Sequence, residues 1–170
     1  NGLTPTTLTG TAALVGVDAG DVADVTLGGT AVASFATAGV GTGIAVSVSG
    51  YTLSGAAAGN YTVAQPTGLT ADITAKGLTI SGLTADNKVY NATTAATLTG
   101  TAALVGVEAG DVANVTLGGT AVASFATAGV GTGIAVSVTG YTLSGSAAGN
   151  YTVAQPTGLT ADITAKGLTI

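Results

Sequence analysis

Gly131-Thr-Gly-Ile-Ala-Val-Ser-Val-Thr-Gly-Tyr-Thr-Leu143 is the stretch whose reading decides the fold class. Ile134, Val136 and Val138 alternate with Ala135, Ser137 and Thr139, so an extended segment carries an apolar face and a small, polar one. Gly140 interrupts the alternation and Tyr141 to Leu143 resumes it. Downstream, Tyr151 to Gln155 reads as a strand stopped by Pro156, and Leu159 to Thr164 as the strand that closes the unit. Upstream, Thr120 to Phe125 places Ala121, Ala123 and Phe125 on one face. Val112 to Leu117 reads as a separate strand ended by Gly118-Gly119, and Glu108 to Asp111 as a loop. Thr97 to Leu104 alternates Leu98 with threonines. Lys88-Val-Tyr90 continues from a turn at Asp86-Asn87, and Gly77 to Ser81 reads as a first strand. The alanine run Ala56 to Ala58 is too short, between its glycines, to hold a helix.

About seven short strands, punctuated every 8–12 residues, predict an all-β chain of tandem immunoglobulin-like antiparallel β-sandwiches. Gly149-Asn-Tyr-Thr-Val153 sharpens this, as does its counterpart Gly59 to Val63. It is similar to the corner before the penultimate strand of such domains, where a tyrosine hydroxyl bonds back to upstream backbone. Tyr61 and Tyr151 are therefore expected as structural corner residues.

The pattern occurs twice. Residues 1–80 align without a gap on residues 91–170, and eight positions differ: 2/92, 3/93, 5/95, 6/96, 18/108, 24/114, 49/139 and 56/146. A period of 90 residues exceeds that of solenoid repeats and is the size of a small domain. The expected organisation is a repeat over residues 1–75 lacking its first strand and a complete repeat over 76–165. Residues 166–170 then read as the start of a further repeat or a donated strand. Ser81 to Tyr90 occurs once, between the copies, so the chain is expected to be a window on a longer array, with strand exchange between subunits as the alternative.

Composition excludes several classes of function. Charged residues make up 6% of the chain and the formal net charge is −5, which argues against nucleic acid or an anionic membrane as partner. The apolar runs are short and broken, so no bilayer span is expected. The chain has no His and no Cys, which removes the usual acid–base and thiol routes to catalysis. No Gly-x-Ser-x-Gly elbow is present, and Gly131-Thr-Gly133 leads into a strand rather than a phosphate-binding helix. The expectation is no enzyme and no cofactor.

Lys88-Val-Tyr-Asn-Ala-Thr-Thr94, with Phe125, Gly131-Thr-Gly133, Val136 to Leu143 and Gly149-Asn-Tyr-Thr152, resembles the YDG/MBG group of bacterial surface repeats. These occur in tandem in large secreted exoproteins of the filamentous-haemagglutinin and adhesin type. The family pattern begins Lys-x-Tyr-Asp-Gly-Thr-Thr; Asn91 and Ala92 replace its Asp-Gly here, and the first copy has Asn1-Gly2-Leu3-Thr4. The resemblance implies an immunoglobulin-like sandwich, a stalk or adhesin context and no catalytic residues.

Other constellations bear on binding. Asp18, Asp21 and Asp24 lie three apart, and the second copy keeps Glu108 and Asp111 but has Asn114. Carboxylates of this kind can hold calcium, which takes six to eight oxygens, and Asp21 and Asp111 would be the best members of such a site; the spacing is not that of an EF-hand loop, and solvated loop acids and turn caps are the simpler account. Asp72 with Lys76, and Asp162 with Lys166, are expected as charges guarding the domain junction. Lys88 or Lys166 with Asn150 has the chemistry of a lysine–asparagine cross-link. Asn60, Asn91, Asn114 and Asn150 match the glycosylation sequon, and asparagines in turns explain them.

The leading expectation is a structural repeat of a bacterial extracellular stalk, adhesin or surface fibre, acting as a spacer or filament-building unit. Its partners would be neighbouring repeats or identical subunits, met end to end or by strand addition. The alternative is a binding module for a glycan or another surface ligand, which an exposed aromatic cluster would favour.

Overall fold

The computed structural model describes residues 4–170. Among the described residues strands hold 52% and helix almost none, and the antiparallel and mixed sheets curl into half-barrels. Among the described residues no helix is long and apolar enough to cross a membrane. The chain divides into two compact units, residues 1–74 and 75–170.

The first unit holds β1 (Thr4–Thr6), β2 (Thr26–Phe35), β3 (Gly41–Ser54) and β4 (Leu69–Ile73), hydrogen-bonded in that order into an antiparallel sheet. Ala33, Val46 and Val48 form its buried cluster, with Ala31, Phe35, Tyr51 and Ala71 packed against it. These side chains come from alternate positions of β2 and β3, as period-two patterning requires.

The second unit holds β5 (Lys76–Ala85), β6 (Lys88–Val89), β7 (Ala95–Ala96), β8 (Leu98–Val105), β9 (Thr116–Phe125), β10 (Gly131–Ser144), β11 (Tyr151–Val153) and β12 (Leu159–Thr164). They form a five-stranded sheet ordered β6-β12-β10-β9-β7 and a three-stranded sheet ordered β11-β5-β8. Phe125, Val136, Val138, Ala161 and Ile163 are buried against the first of these, with Ala123 beside them. A second cluster gathers Leu78, Val115, Ala147 and Tyr151, flanked by Leu104, Val107 and Leu143. Leu78, contributed by β5, is 1% exposed and belongs to this second cluster.

The predicted alternation along β10 holds: Val136 and Val138 are buried while Ala135, Ser137 and Thr139 are exposed. Other expectations need correction. The sheets are not wholly antiparallel, because β11 runs parallel to β5 and β6 parallel to β12. Val112 to Asn114 is a turn rather than the start of a strand: the amide of Asn114 donates to the carbonyl of Asp111 at 2.8 Å, closing the chain on itself. Nor does Gly118-Gly119 end a strand; β9 runs through it to Phe125.

Gly119 makes that continuity possible. It adopts φ +85, and a Cβ there would stand 2.1 Å from the carbonyl oxygen of Gly140. Gly140 is equally restricted, at φ +97 with a hypothetical Cβ 2.1 Å from the oxygen of Thr120. The β9–β10 register shifts between Thr139 and Tyr141, so two glycines that interrupt the alternation in sequence form one β-bulge in space.

Candidate functional site

Three constellations gather the residues that sequence reasoning singled out. The first is the tyrosine corner. Tyr151 opens β11 directly after the 3₁₀ turn Ala148–Asn150. Its hydroxyl donates to Asp111 Oδ2 at 2.8 Å and accepts from the Glu108 amide at 3.3 Å. Tyr61 repeats the arrangement with Asp21 Oδ2 at 2.8 Å and the Asp18 amide at 3.3 Å. The hydroxyl thus reaches an acidic turn about 40 residues upstream and ties it to the start of the penultimate segment. Both phenols are held above their ordinary pKa of 10.0. For Tyr61 the bond to Asp21 is the first cause and burial the second; for Tyr151 burial comes first and the bond to Asp111 second. A phenolate would lose its donated bond and face a carboxylate, so the neutral form is favoured.

Asp21 and Asp111, the calcium candidates, each spend one carboxylate oxygen on this tyrosine. Among the described residues no three acidic side chains converge there or elsewhere. Asn114 accepts from Ser146 Oγ at 3.2 Å. The first copy has Asp24 and Ala56 at these positions, so two of the eight differences between the copies fall on one pair.

The second constellation is the loop from Lys88 to Ala95. Lys88 Nζ donates to the carbonyls of Thr93 at 2.6 Å and Ala95 at 2.9 Å, and to Asn91 Oδ1 at 3.1 Å. It lies 5.0 Å from the centroid of the Phe125 ring, a cation–π distance. Asn91 Oδ1 also accepts from the amide of Thr93 at 3.1 Å and its hydroxyl at 2.9 Å. One oxygen therefore takes three donors, a task a carboxylate performs at least as well. Ala92 sits at φ +63, the only described non-glycine residue with positive φ. The Asp-Gly of the pattern Lys-x-Tyr-Asp-Gly-Thr-Thr is thus the pair this geometry asks for: an acceptor followed by a residue free to enter the left-handed region. Lys88 is directed into its own loop, while Asn150 closes the 3₁₀ turn before β11, its amide donating to Ala147. The first copy's Asn1 to Leu3 lie outside the described residues.

The third constellation is an open face on the first unit. In the second unit β5 lies between β8 and β11, with Thr79 opposite Val105, Ile80 opposite Leu104, and Lys76 to Leu78 alongside Tyr151 to Val153. In the first unit residues 8–15 and 61–63, identical to β8 and β11, form no strand. Between them lies a groove of about 350 Å³ whose walls include Leu14, Val15, Thr62 and Val63. Val15 is 98% exposed, against 47% for Val105.

Two sets of residues escaped sequence reasoning. Asp72 and Asp162, expected as junction charges, instead accept the amides of Gly43 at 2.8 Å and Gly133 at 2.7 Å, where the β3–β4 and β10–β12 registers shift. Lys76 pairs with Glu108. Gln155 closes a strand edge. It accepts from the amide of Tyr141 at 3.0 Å and donates to the carbonyl of Tyr141 at 2.9 Å, as a paired strand would. Gln65 does the same for Tyr51. The only sequence signal for this is a glutamine before Pro66 and Pro156 in a chain otherwise poor in amides.

A sequence model of the YDG domain matches residues 1–68 and again residues 74–158. No curated protein and no solved structure matches the chain.

Proposed function

The chain belongs to the YDG domain family, and from that premise we propose that it is a structural repeat of a bacterial extracellular stalk, adhesin or surface fibre. The observation that carries this reading is the direct succession of near-identical units. Only Thr74 and Ala75 stand between β4 and β5, so one unit begins where the other ends. We read the two sheets of the second unit as the layers of an immunoglobulin-like sandwich. Its residues are spent on the fold itself: Tyr151 and Asp111 tie a turn, Lys88 and Asn91 tie a loop, and Gln155 closes an edge. The partners are neighbouring repeats, and no chemical step is assigned.

The rival reading, a binding module, calls for exposed aromatic rings in a group. Tyr151 and Phe125 are buried, and among the described aromatic residues Tyr90 alone is exposed, at 39%. That favours the spacer. The test is length: chains of two, four and six units, studied by small-angle X-ray scattering, are expected to gain maximum dimension in equal steps. A dimension that grows only with the cube root of mass would overturn the spacer reading. Labelling of intact source cells with an antibody to the repeat tests the surface location, and staining only after lysis would contradict it.

A further inference from the structure

We infer that the second unit is built to bear tension along the chain, through a clamp in which parallel strand pairs hold its entrance and its exit in shear. This rests on the structural-repeat reading, in which load passes from one repeat into the next. The repeat itself sets entrance and exit: Lys76 to Ile80 recurs one period on, at 166–170. At the entrance, β5 receives the chain from Thr74-Ala75 and runs parallel to β11, with Lys76 to Leu78 alongside Tyr151 to Val153. The amide of Ala154 extends this pair by donating to the carbonyl of Leu78 at 2.9 Å. At the exit, β12 runs parallel to β6, with Ile163 beside Lys88 and Thr164 beside Val89. The amide of Tyr90 extends that pair, donating to the Thr164 carbonyl at 2.8 Å.

Direction decides how these bonds meet a load. Asp86 and Asn87 alone separate β5 from β6. The amide of Asp86 donates to the carbonyl of Thr97 at 3.0 Å, prolonging the β5–β8 pairing beyond Ala85. The chain therefore runs on from β5 into β6 instead of doubling back. Tension draws β5 and β6 toward their N-terminal ends and β12 toward its C-terminal end. Parallel neighbours drawn this way slide along each other, so their evenly spaced bonds share the load and fail together. Antiparallel neighbours parted at adjoining ends open one bond at a time.

Side chains reinforce the exit pair. Asn87 Oδ1 accepts from the amide of Asp162 at 2.7 Å, and Thr164 Oγ1 donates to the carbonyl of Lys88 at 3.3 Å. Lys88 carries the load further. β6 and β7 are the two edges of the five-stranded sheet and share no main-chain pairing. The Lys88 ammonium bridges them, donating from β6 to the carbonyl of Ala95 on β7 as well as to that of Thr93. One side chain thus ties the strand that holds β12 to the strand that holds β9. Lys88 is the positioning residue of the clamp.

The chain has no cysteine, so cysteines placed in the full chain define the handles for single-molecule pulling. Thr74→Cys with Ala165→Cys loads the second unit end to end. Thr74→Cys with Ala109→Cys parts the adjoining ends of β5 and β8, where Thr79 faces Val105. All three positions are exposed. Forced unfolding reads the barrier rather than the equilibrium stability. At equal load the end-to-end lifetime is expected to exceed the other by about 10-fold or more, the factor for a few main-chain bonds failing together instead of singly. Lys88→Met, which keeps the length of the side chain, is expected to shorten the end-to-end lifetime by about 10- to 100-fold. It should leave the β5–β8 direction unchanged, because the Lys88 bonds are intact when that ladder opens. Equal lifetimes in the two directions, or a Lys88→Met effect of the same size in both, would overturn the proposal. The comparison of directions stands by itself for a Lys88→Met chain that fails to fold. These measurements read force within one unit and not length or location, so the clamp and the structural-repeat reading fail separately.

Discussion

The two copies of the repeat share all but eight of eighty aligned residues, yet their strand content differs where they are identical. Leu98–Val105 and Tyr151–Val153 are strands, and residues 8–15 and 61–63 are not. None of the eight substitutions falls in these segments. The difference lies in β5, which pairs with both segments in the second unit and has no counterpart among the described residues of the first. Strand formation here is a property of the pairing partner more than of the local sequence, as the context dependence of β-propensity leads one to expect. Burial follows the same division: Tyr151 and Ile163 are buried while Tyr61 and Ile73 are half-buried.

The sharpest way to break this comparison is to weaken β5 in place. Leu78→Ala is expected to cost the second unit about 2–5 kcal/mol, the range for a buried leucine losing its contacts, and to leave the first unit's transition where it was. Calorimetry that resolves the two transitions checks it; a common shift in both would mean that the units do not unfold separately. Next in size is the glutamine that closes the β10 edge. Gln155→Ala removes two hydrogen bonds to Tyr141 and is expected to cost about 1–3 kcal/mol. Gln65→Ala makes the same deletion in the first unit, and equal costs would show that this edge does not depend on β5.

Ala92→Gly should move stability the other way. Relief of a left-handed alanine outweighs the greater freedom of glycine in the unfolded chain, for a net gain of about 0.5–1 kcal/mol. Denaturant titration of the second unit reads it, and a loss would refute the account of the loop.

The smallest effect is alkaline. Because the folded Tyr151 and Tyr61 phenols lie above their ordinary value of 10.0, the stability they contribute is complete below about pH 10. It falls as pH rises through the folded value, where the unfolded chain binds fewer protons. Tyr151→Phe is expected to flatten this decline in the second unit and Tyr61→Phe in the first. A decline unchanged in both variants would assign it to other groups.

The all-β class was legible because alternation is a local signal. Val136 and Val138 against Ser137 and Thr139 announce β10, and Pro156 ends the segment before β12, whose expected bounds Leu159–Thr164 are those found. What was not legible is what depends on partners distant in sequence. The parallel pairing of Tyr151–Val153 with Lys76–Leu78 joins residues 75 apart, and nothing in either segment declares a direction. Gly118-Gly119 reads as a strand end unless Gly140 is known to face it. Tyr61 and Tyr151 were singled out by the Gly-Asn-Tyr-Thr context, and Asp21 and Asp111 as loop acids with calcium as the alternative, but nothing in the sequence joined the two pairs. Each aspartate is positioned by its turn to receive a phenol. Lys88, Asn91 and Ala92 stand close in sequence, yet the positive φ at Ala92 emerges only from the backbone.

Amide hydrogen exchange on the dilute intact chain tests the central claim most directly, because it compares identical peptides in one sample. The account predicts slow exchange across residues 98–105 and 151–153 and exchange faster by orders of magnitude across 8–15 and 61–63. Equal protection of the paired segments would contradict it, since residues 8–15 would then be ordered without β5.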